Sequence, residues 1–358
     1  MYRGAHAGRL TFVLTALLSA WQVAAAIQPA ARLSFVDLFH EYRSGDADRA
    51  VQILSTWSPR QIDRDAKLPP GQDDAWAKAA LALFLIEALR ESSPGATDKA
   101  ERLIAEAYDR AKSSNDTRLL TFCRDWYFVG LTSHVHLSMD AEAELRRRFS
   151  ADPLTQLELG KKAERYLEVI LHPDRDGYAL GFGHTEVHGT SSHGPYGEDA
   201  AKAEHAYRAA LALDPTLIEA RLRLGRVLWF LDRRDEAERD LSQASREAMA
   251  ASAPTLVYLA NLFLGELNEE RGRVDDARNA YETAIRAHPV GQVAYLALGR
   301  LLLATGRDEE GWTAIASALN GSTWARQAPD PWRVYAMDDT NWSSAVRFGH
   351  LRSQVRQP

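Results

Sequence analysis

Histidine and acidic side chains gather in one stretch of the chain. His172, His184, His188 and His193 stand there with Asp174, Asp176 and Glu186. Imidazole nitrogens and carboxylate oxygens are ligands that zinc, copper or nickel take. His184 and His188 are spaced to share one face of a helix, but Gly181, Gly183, Gly189 and Gly194 oppose a helix. Thr185 also stands where a helical zinc-protease motif has its glutamate. The stretch reads as a solvated loop over 173–198, with metal binding through His184, His188 and His193 as the alternative.

Other reactive types are scattered. Cys123 is the one cysteine, set in the apolar run Leu119-Leu120-Thr121-Phe122, which points to a buried structural thiol. His134 and His136 are two apart, so on a helix they point to different sides. Glu266 and Glu270 share a helical face with Glu269 beside them, but no partner group stands near for acid–base work. The chain holds no phosphate loop, dinucleotide fingerprint or Gly-x-Ser-x-Gly elbow. Neither catalysis nor a cofactor is expected.

Composition narrows the field further. The chain has 358 residues and a formal net charge of −6. Without residues 1–26, which hold Arg3 and Arg9 and no acid, 41 basic residues face 49 acidic ones. No basic patch dominates, so nucleic acid is not the expected partner. Arg3 and Arg9, the apolar run Leu10–Ala20 and Ala24-Ala25-Ala26 read as a secretory signal, with the mature chain starting at Ile27. The run is short for a membrane span, so no span is expected after cleavage. The expected setting is the periplasm or the exterior, where spare thiols are a hazard.

The elements that must position any site are helical. From Leu224 to Ala318 one pattern repeats. It begins with Leu224-Gly225, Leu264-Gly265 and Leu298-Gly299, and each glycine precedes a small residue by 12 positions: Ala237, Ala277 and Gly311. Gly265 and Gly299 are 34 residues apart. Small residues allow two helix backbones to approach, Leu241, Tyr281 and Ile315 fill the space between neighbouring hairpins, and Pro289 ends a helix. A further copy starts at Leu159-Gly160 and resumes at Ala203, Tyr207, Ala210 and Pro215, with the His-rich loop between its halves. Upstream, 33–57, 74–112 and 117–150 read as hairpins and Ser58–Asp73 as a loop. Downstream, Trp324, Asp330-Pro331-Trp332 and Tyr335 form an aromatic linker, and Trp342–Gln354 a last helix that covers the open end of the array.

This pattern resembles the tetratricopeptide repeat family, whose period is 34 residues. The match holds at the Leu-Gly, Ala, aromatic and Pro positions and departs where Arg221, Asn261 and Tyr295 replace a first-helix Trp. The Asp-Pro-Trp…Tyr ending is also similar to a group of exported bacterial repeat proteins. The resemblance implies an all-α solenoid of helical hairpins, with a loop insertion in the fourth repeat and a C-terminal capping segment. The expected parts are a signal peptide (1–26), degenerate repeats (27–172), the inserted loop (173–198), well-matched repeats (199–320), and a linker with capping helix (321–358). It implies first helices lining a concave face that binds a protein or peptide. The positions then expected to be exposed there are Arg226, Trp229, Phe230, Glu266, Glu269, Glu270, Arg300 and Leu303, with packing of Trp229 and Phe230 on the next hairpin as the alternative. The Lys/Asn set with which family members clamp a C-terminal carboxylate is absent. The sign change along the face favours a ligand with a basic stretch opposite the glutamates. A non-catalytic envelope scaffold is the reading that follows.

Overall fold

The computed structural model describes residues 33–88, 94–132, 141–171, 195–320, 330–332, 335 and 340–356, and among these every regular element is a helix. They fall into two compact units, Met1–Arg110 with Arg352–Pro358, and Ala111–Leu351.

In the first unit, α1 (Phe35–Ser44) starts at a capping box in which Ser34 and Asp37 satisfy each other's backbone N–H groups. Phe35, Phe39 and Tyr42 lie along one helical face and meet Phe84 of α4 (Ala75–Ala88) at 5.8, 6.2 and 4.5 Å between ring centroids. α2 (Ala47–Ser55) completes the first hairpin. The expected loop at Ser58–Asp73 contains a short helix, α3 (Pro59–Asp65). Its signal was Ser58-Pro59 followed by Gln61, a capping box with proline at the first turn. α5 spans Pro94–Ser114. Within α4, Glu87 is buried, and its carboxylate accepts from Tyr42 Oη (2.8 Å) and Arg352 Nε (2.9 Å).

The second unit runs through α6 (Thr117–Thr132), α7 (Ala141–Arg148), α8 (Pro153–Leu171), α9 (Pro195–Leu213), α10 (Ile218–Phe230), α11 (Arg234–Ala250), α12 (Pro254–Glu270), α13 (Val274–Ala287), α14 (Gln292–Ala304) and α15 (Asp308–Asn320). Pro153 opens α8 rather than ending α7, and Asp152 caps that start by accepting the Thr155 N–H. α8 and α9 pack together across the insertion, so the expected boundary at 172 falls within a hairpin. The insertion is also shorter at its end than expected, because Pro195–Glu198 form the first turn of α9.

Three hairpin turns share one device. Asp232, Gly272 and Gly306 each have positive φ, at 58°, 70° and 75°. The following N–H of Arg233, Arg273 and Arg307 reaches back to the carbonyl of Leu228, Asn268 and Leu302, each at 2.9 Å. This is the six-to-one bond of a left-handed helix stop.

The helix crossings correct the expected role of the large residues. A Cβ on Gly160 would lie 2.3 Å from Tyr207, one on Gly225 2.8 Å from Leu241, one on Gly265 2.2 Å from Tyr281, and one on Gly299 2.6 Å from Ile315. Each large side chain thus sits over the glycine of its own hairpin, rather than filling the gap to the next. The separation is 16 residues in the three later hairpins and 47 in the interrupted one, yet the contact is the same.

On the outer face of α15, Trp312 is 63% exposed and Leu319 64%. In α16 (Thr340–Val355), Phe348, Leu351 and Val355 are buried, while Val346 is exposed.

Two stability tests follow. Gly265→Ala should destabilise by about 1–3 kcal/mol in chemical denaturation, because the new methyl meets a ring already in place. Combined with Tyr281→Ala, the loss should fall short of the sum of the two single losses, since both act on one contact. Replacing Trp312 and Leu319 together by lysine should leave stability within about 0.5 kcal/mol, as exposed positions allow. A large loss would mean that α15 is covered after all.

Candidate partner-binding face

The first helices of the second unit bring together residues from distant parts of the chain. Arg226 of α10 is 5% exposed. Its guanidinium carbon lies 4.5 Å from the ring centre of Phe263, 4.9 Å from Phe230, 4.9 Å from Trp332, and 5.8 Å from Trp229 and Tyr335. Five aromatic rings around one cation are a cation–π site, each contact worth roughly 0.5–2 kcal/mol depending on desolvation. Trp332 and Tyr335, three apart in helical backbone, stack at 5.8 Å with 17° between planes, and both meet Phe263 edge-on.

Asp330 fixes the start of this segment. Its carboxylate accepts from Tyr258 Oη at 3.0 Å, from the Trp332 N–H at 2.8 Å and from the Val293 N–H at 2.9 Å. Val293 lies in the first turn of α14, where unpaired N–H groups and the helix dipole favour an anion. Tyr258 Oη in turn accepts the Ala294 N–H at 3.2 Å. Gly291 permits this approach, since a Cβ there would lie 2.6 Å from the Tyr258 ring.

Tyr335 ends the segment at a buried acid. Its hydroxyl donates to Glu164, which is 2% exposed and also accepts from Tyr207 Oη at 2.5 Å and Arg223 Nη1 at 2.9 Å. Arg223 lies 4.3 Å from the centre of the Tyr335 ring. From Arg223 a chain of alternating charge continues. Arg223 pairs with Glu219 (2.9 Å), Glu219 with Lys161 (2.8 Å), Lys161 with Glu158 (3.2 Å) and Glu158 with Arg347 (2.7 Å). Burial pushes the Glu219 carboxyl up, but Lys161 and Arg223 more than offset it and hold it at about 2. Burial likewise opposes ionisation of Glu158, and Lys161 and Arg347 outweigh it, so its pKa is lowered.

This geometry corrects the expected groove. Arg226, Trp229 and Glu266 are buried, and Phe230 is partly buried against the core. The Trp229 indole N–H donates to Glu270 at 2.8 Å. Glu269 accepts from Arg300 at 2.6 and 2.8 Å and from Tyr281 Oη at 3.0 Å. The face that changes sign along the sequence is therefore largely paired within the chain, and a basic ligand opposite the glutamates loses its basis. Alignment on Leu-Gly pairs places these residues on the first helices but does not say what lies against them. Asp330, Trp332, Tyr335 and Glu164 were missed as its components. The Asp-Pro-Trp…Tyr spacing was their sequence signal, since an Asp-Pro start is a helix-cap pattern and the two rings share a helical face.

Among the described residues the second unit is a series of packed helical hairpins. No protein-family model matches the chain, and no curated protein matches it. Among solved structures it is similar to a crystal structure of MamA at 20% identity, over 52% of this chain and 88% of that one, with a TM-score of 0.38. It is similar to MamA residues 41 to the end from Desulfovibrio magneticus RS-1 at 16% identity, over 62% and 98%, with a TM-score of 0.38. It is also similar to a structure of the APC/C hetero-tetramer Cut9–Hcn1 at 13% identity, over 89% and 62%, with a TM-score of 0.33.

The remaining sequence candidates place as follows. His184, His188 and His193 lie outside the described residues, as do His134 and His136. Among the described residues no group of three or more His, Cys, Asp or Glu side chains is arranged to hold a metal. Cys123 is buried, and burial pushes its thiol well above the ordinary range, so it is a poor nucleophile at neutral pH. No helix among the described residues is long and apolar enough to cross a membrane.

The lowered carboxyl pKa values set a pH dependence. A carboxyl lowered by folding contributes stability above its unfolded pKa of about 4.3, and that contribution is lost as pH falls towards the folded value. Melting temperature should therefore hold from pH 7 to 5 and fall between about pH 4.5 and 2. Glu219→Gln should flatten the fall, and an unchanged acid profile would remove Glu219 from it.

Proposed function

We propose that this protein is a non-catalytic scaffold that binds another protein or peptide through the first-helix face of its repeats, in the envelope of an exporting bacterium. One observation supports it above the rest: the face around Arg226 holds Asp330, Trp332 and Tyr335 through side-chain contacts. A surface that seats one such segment has the chemistry to seat another. The tetratricopeptide architecture suits this role, since neighbouring hairpins present a continuous surface. The exported setting is supported by the charged start, apolar run and small residues of the first 26 positions.

Site-directed photocrosslinking in the native cell tests the reading. A crosslinker at Phe230, on the rim of the face, should capture a discrete polypeptide, and one at the exposed Met249 of α11 should not. Capture from Met249 alone would place the partner surface elsewhere. N-terminal sequencing of the mature protein should begin at Ile27, and a retained Met1 in the cytoplasmic fraction would refute export.

A further inference from the structure

The groove names its own ligand class. We propose that the face around Arg226 recognises a helical turn of a partner protein that carries an acid at its start and two aromatic rings three residues apart. The chain's own Asp330–Tyr335 segment occupies the site as an internal competitor. This rests on the scaffold reading and specifies its partner.

The site is built as three subsites. The first takes a carboxylate: the Val293 N–H at the start of α14 and the Tyr258 hydroxyl converge on Asp330 from two helices. The second takes an aromatic ring: Phe263 meets Trp332 edge-on at 5.6 Å, while Arg226 lies 4.9 Å from the Trp332 ring centre. The third takes a phenol: Glu164 accepts the Tyr335 hydroxyl, and Arg223 covers the ring at 4.3 Å. All three lie on residues of α8, α10, α12 and α14. Asp330 bonds the Trp332 N–H, and the two rings stack on each other, so a turn of the same pattern on another chain would arrive with these features preformed.

The chemistry also explains why the site needs an occupant. Glu164 is a buried carboxylate, and burying a charge is costly unless it is paired or solvated. The segment supplies two of the rings about Arg226 and one of the hydroxyls on Glu164. A partner turn of the same chemistry would replace these contacts one for one, which makes exchange less costly than simple release.

The test uses the full-length protein and a fluorescent peptide of residues 327–338. Trp332→Ala with Tyr335→Ala in the protein should open the site. The peptide should bind this variant saturably, at least tenfold more tightly than the intact protein, and Arg226→Ala added to the variant should abolish binding. Peptides with Asp330 or Trp332 replaced by Ala should bind at least tenfold more weakly. A folded double variant that does not bind the peptide would overturn the proposal. Should the double variant not fold, hydrogen exchange in the intact protein decides instead. The Val293 amide, bonded to Asp330, should exchange at least tenfold faster than the Leu264 amide in the buried core. Equal rates would mean that the segment leaves only when the unit unfolds, and the proposal fails. The scaffold reading is separable: peptide failure with continued capture from Phe230 sinks only the ligand class. Peptide binding without any captured partner sinks the scaffold.

Discussion

The second unit depends on a large side chain lying directly over a helical glycine. Tyr207 over Gly160, Leu241 over Gly225, Tyr281 over Gly265 and Ile315 over Gly299 each fill a space where a single added methyl would collide. Protein interiors are packed too tightly to absorb that collision without a shift of backbone. The contact therefore fixes how closely the two helices of a hairpin approach, and the left-handed stops at Asp232, Gly272 and Gly306 fix where the chain turns. With both set, the first helices stand in sequence, and residues such as Arg223, Arg226 and Phe263 face one surface. The interrupted hairpin obeys the same constraint, because the extra chain leaves between α8 and α9 and the crossing at Gly160 is unaffected. Lengthening a connection costs little loop entropy once its ends are held by such packing.

On that surface the balance is electrostatic. A guanidinium and a carboxylate removed from water would each be strongly unfavourable alone. Arg226 is compensated by ring faces, which attract cations without being charged themselves, and Glu164 by two hydroxyls and Arg223. The series from Arg223 through Glu219, Lys161 and Glu158 to Arg347 alternates in sign at every step, so each member pairs with an opposite charge. Tyr335 joins the two arrangements, since its ring lies near both arginines and its hydroxyl reaches Glu164. The aromatic segment is thus part of the charge balance as well as of the packing.

The hairpins were legible in the sequence because their signals are local and periodic. Leu-Gly pairs, the small residue 12 positions later, and turn residues recur within a few dozen residues, and helical pairs read out directly from them. The occupant of the face was not legible for the opposite reason. Tyr335 and Glu164 are 171 positions apart, and Asp330 and Tyr258 72 apart, with no periodic signal to join them. Alignment to a repeat pattern says which side a residue faces, not what covers that side, so Arg226 and Glu266 were placed at the surface. The short helix Pro59–Asp65 was lost among prolines, although Ser58 and Gln61 carried its cap.

The exposed end of α15 bears on how the aromatic segment should be understood. A repeat array ordinarily hides its last apolar face, and here Trp312 and Leu319 are left largely in water although Trp332 and Tyr335 follow within the same unit. Covering α15 would bury apolar area in proportion to the surface removed from water, about 25 cal/mol per Å². Seating the rings at Arg226 buries apolar area as well and in addition brings the Tyr335 hydroxyl to the buried Glu164, a contact that packing on α15 would not supply.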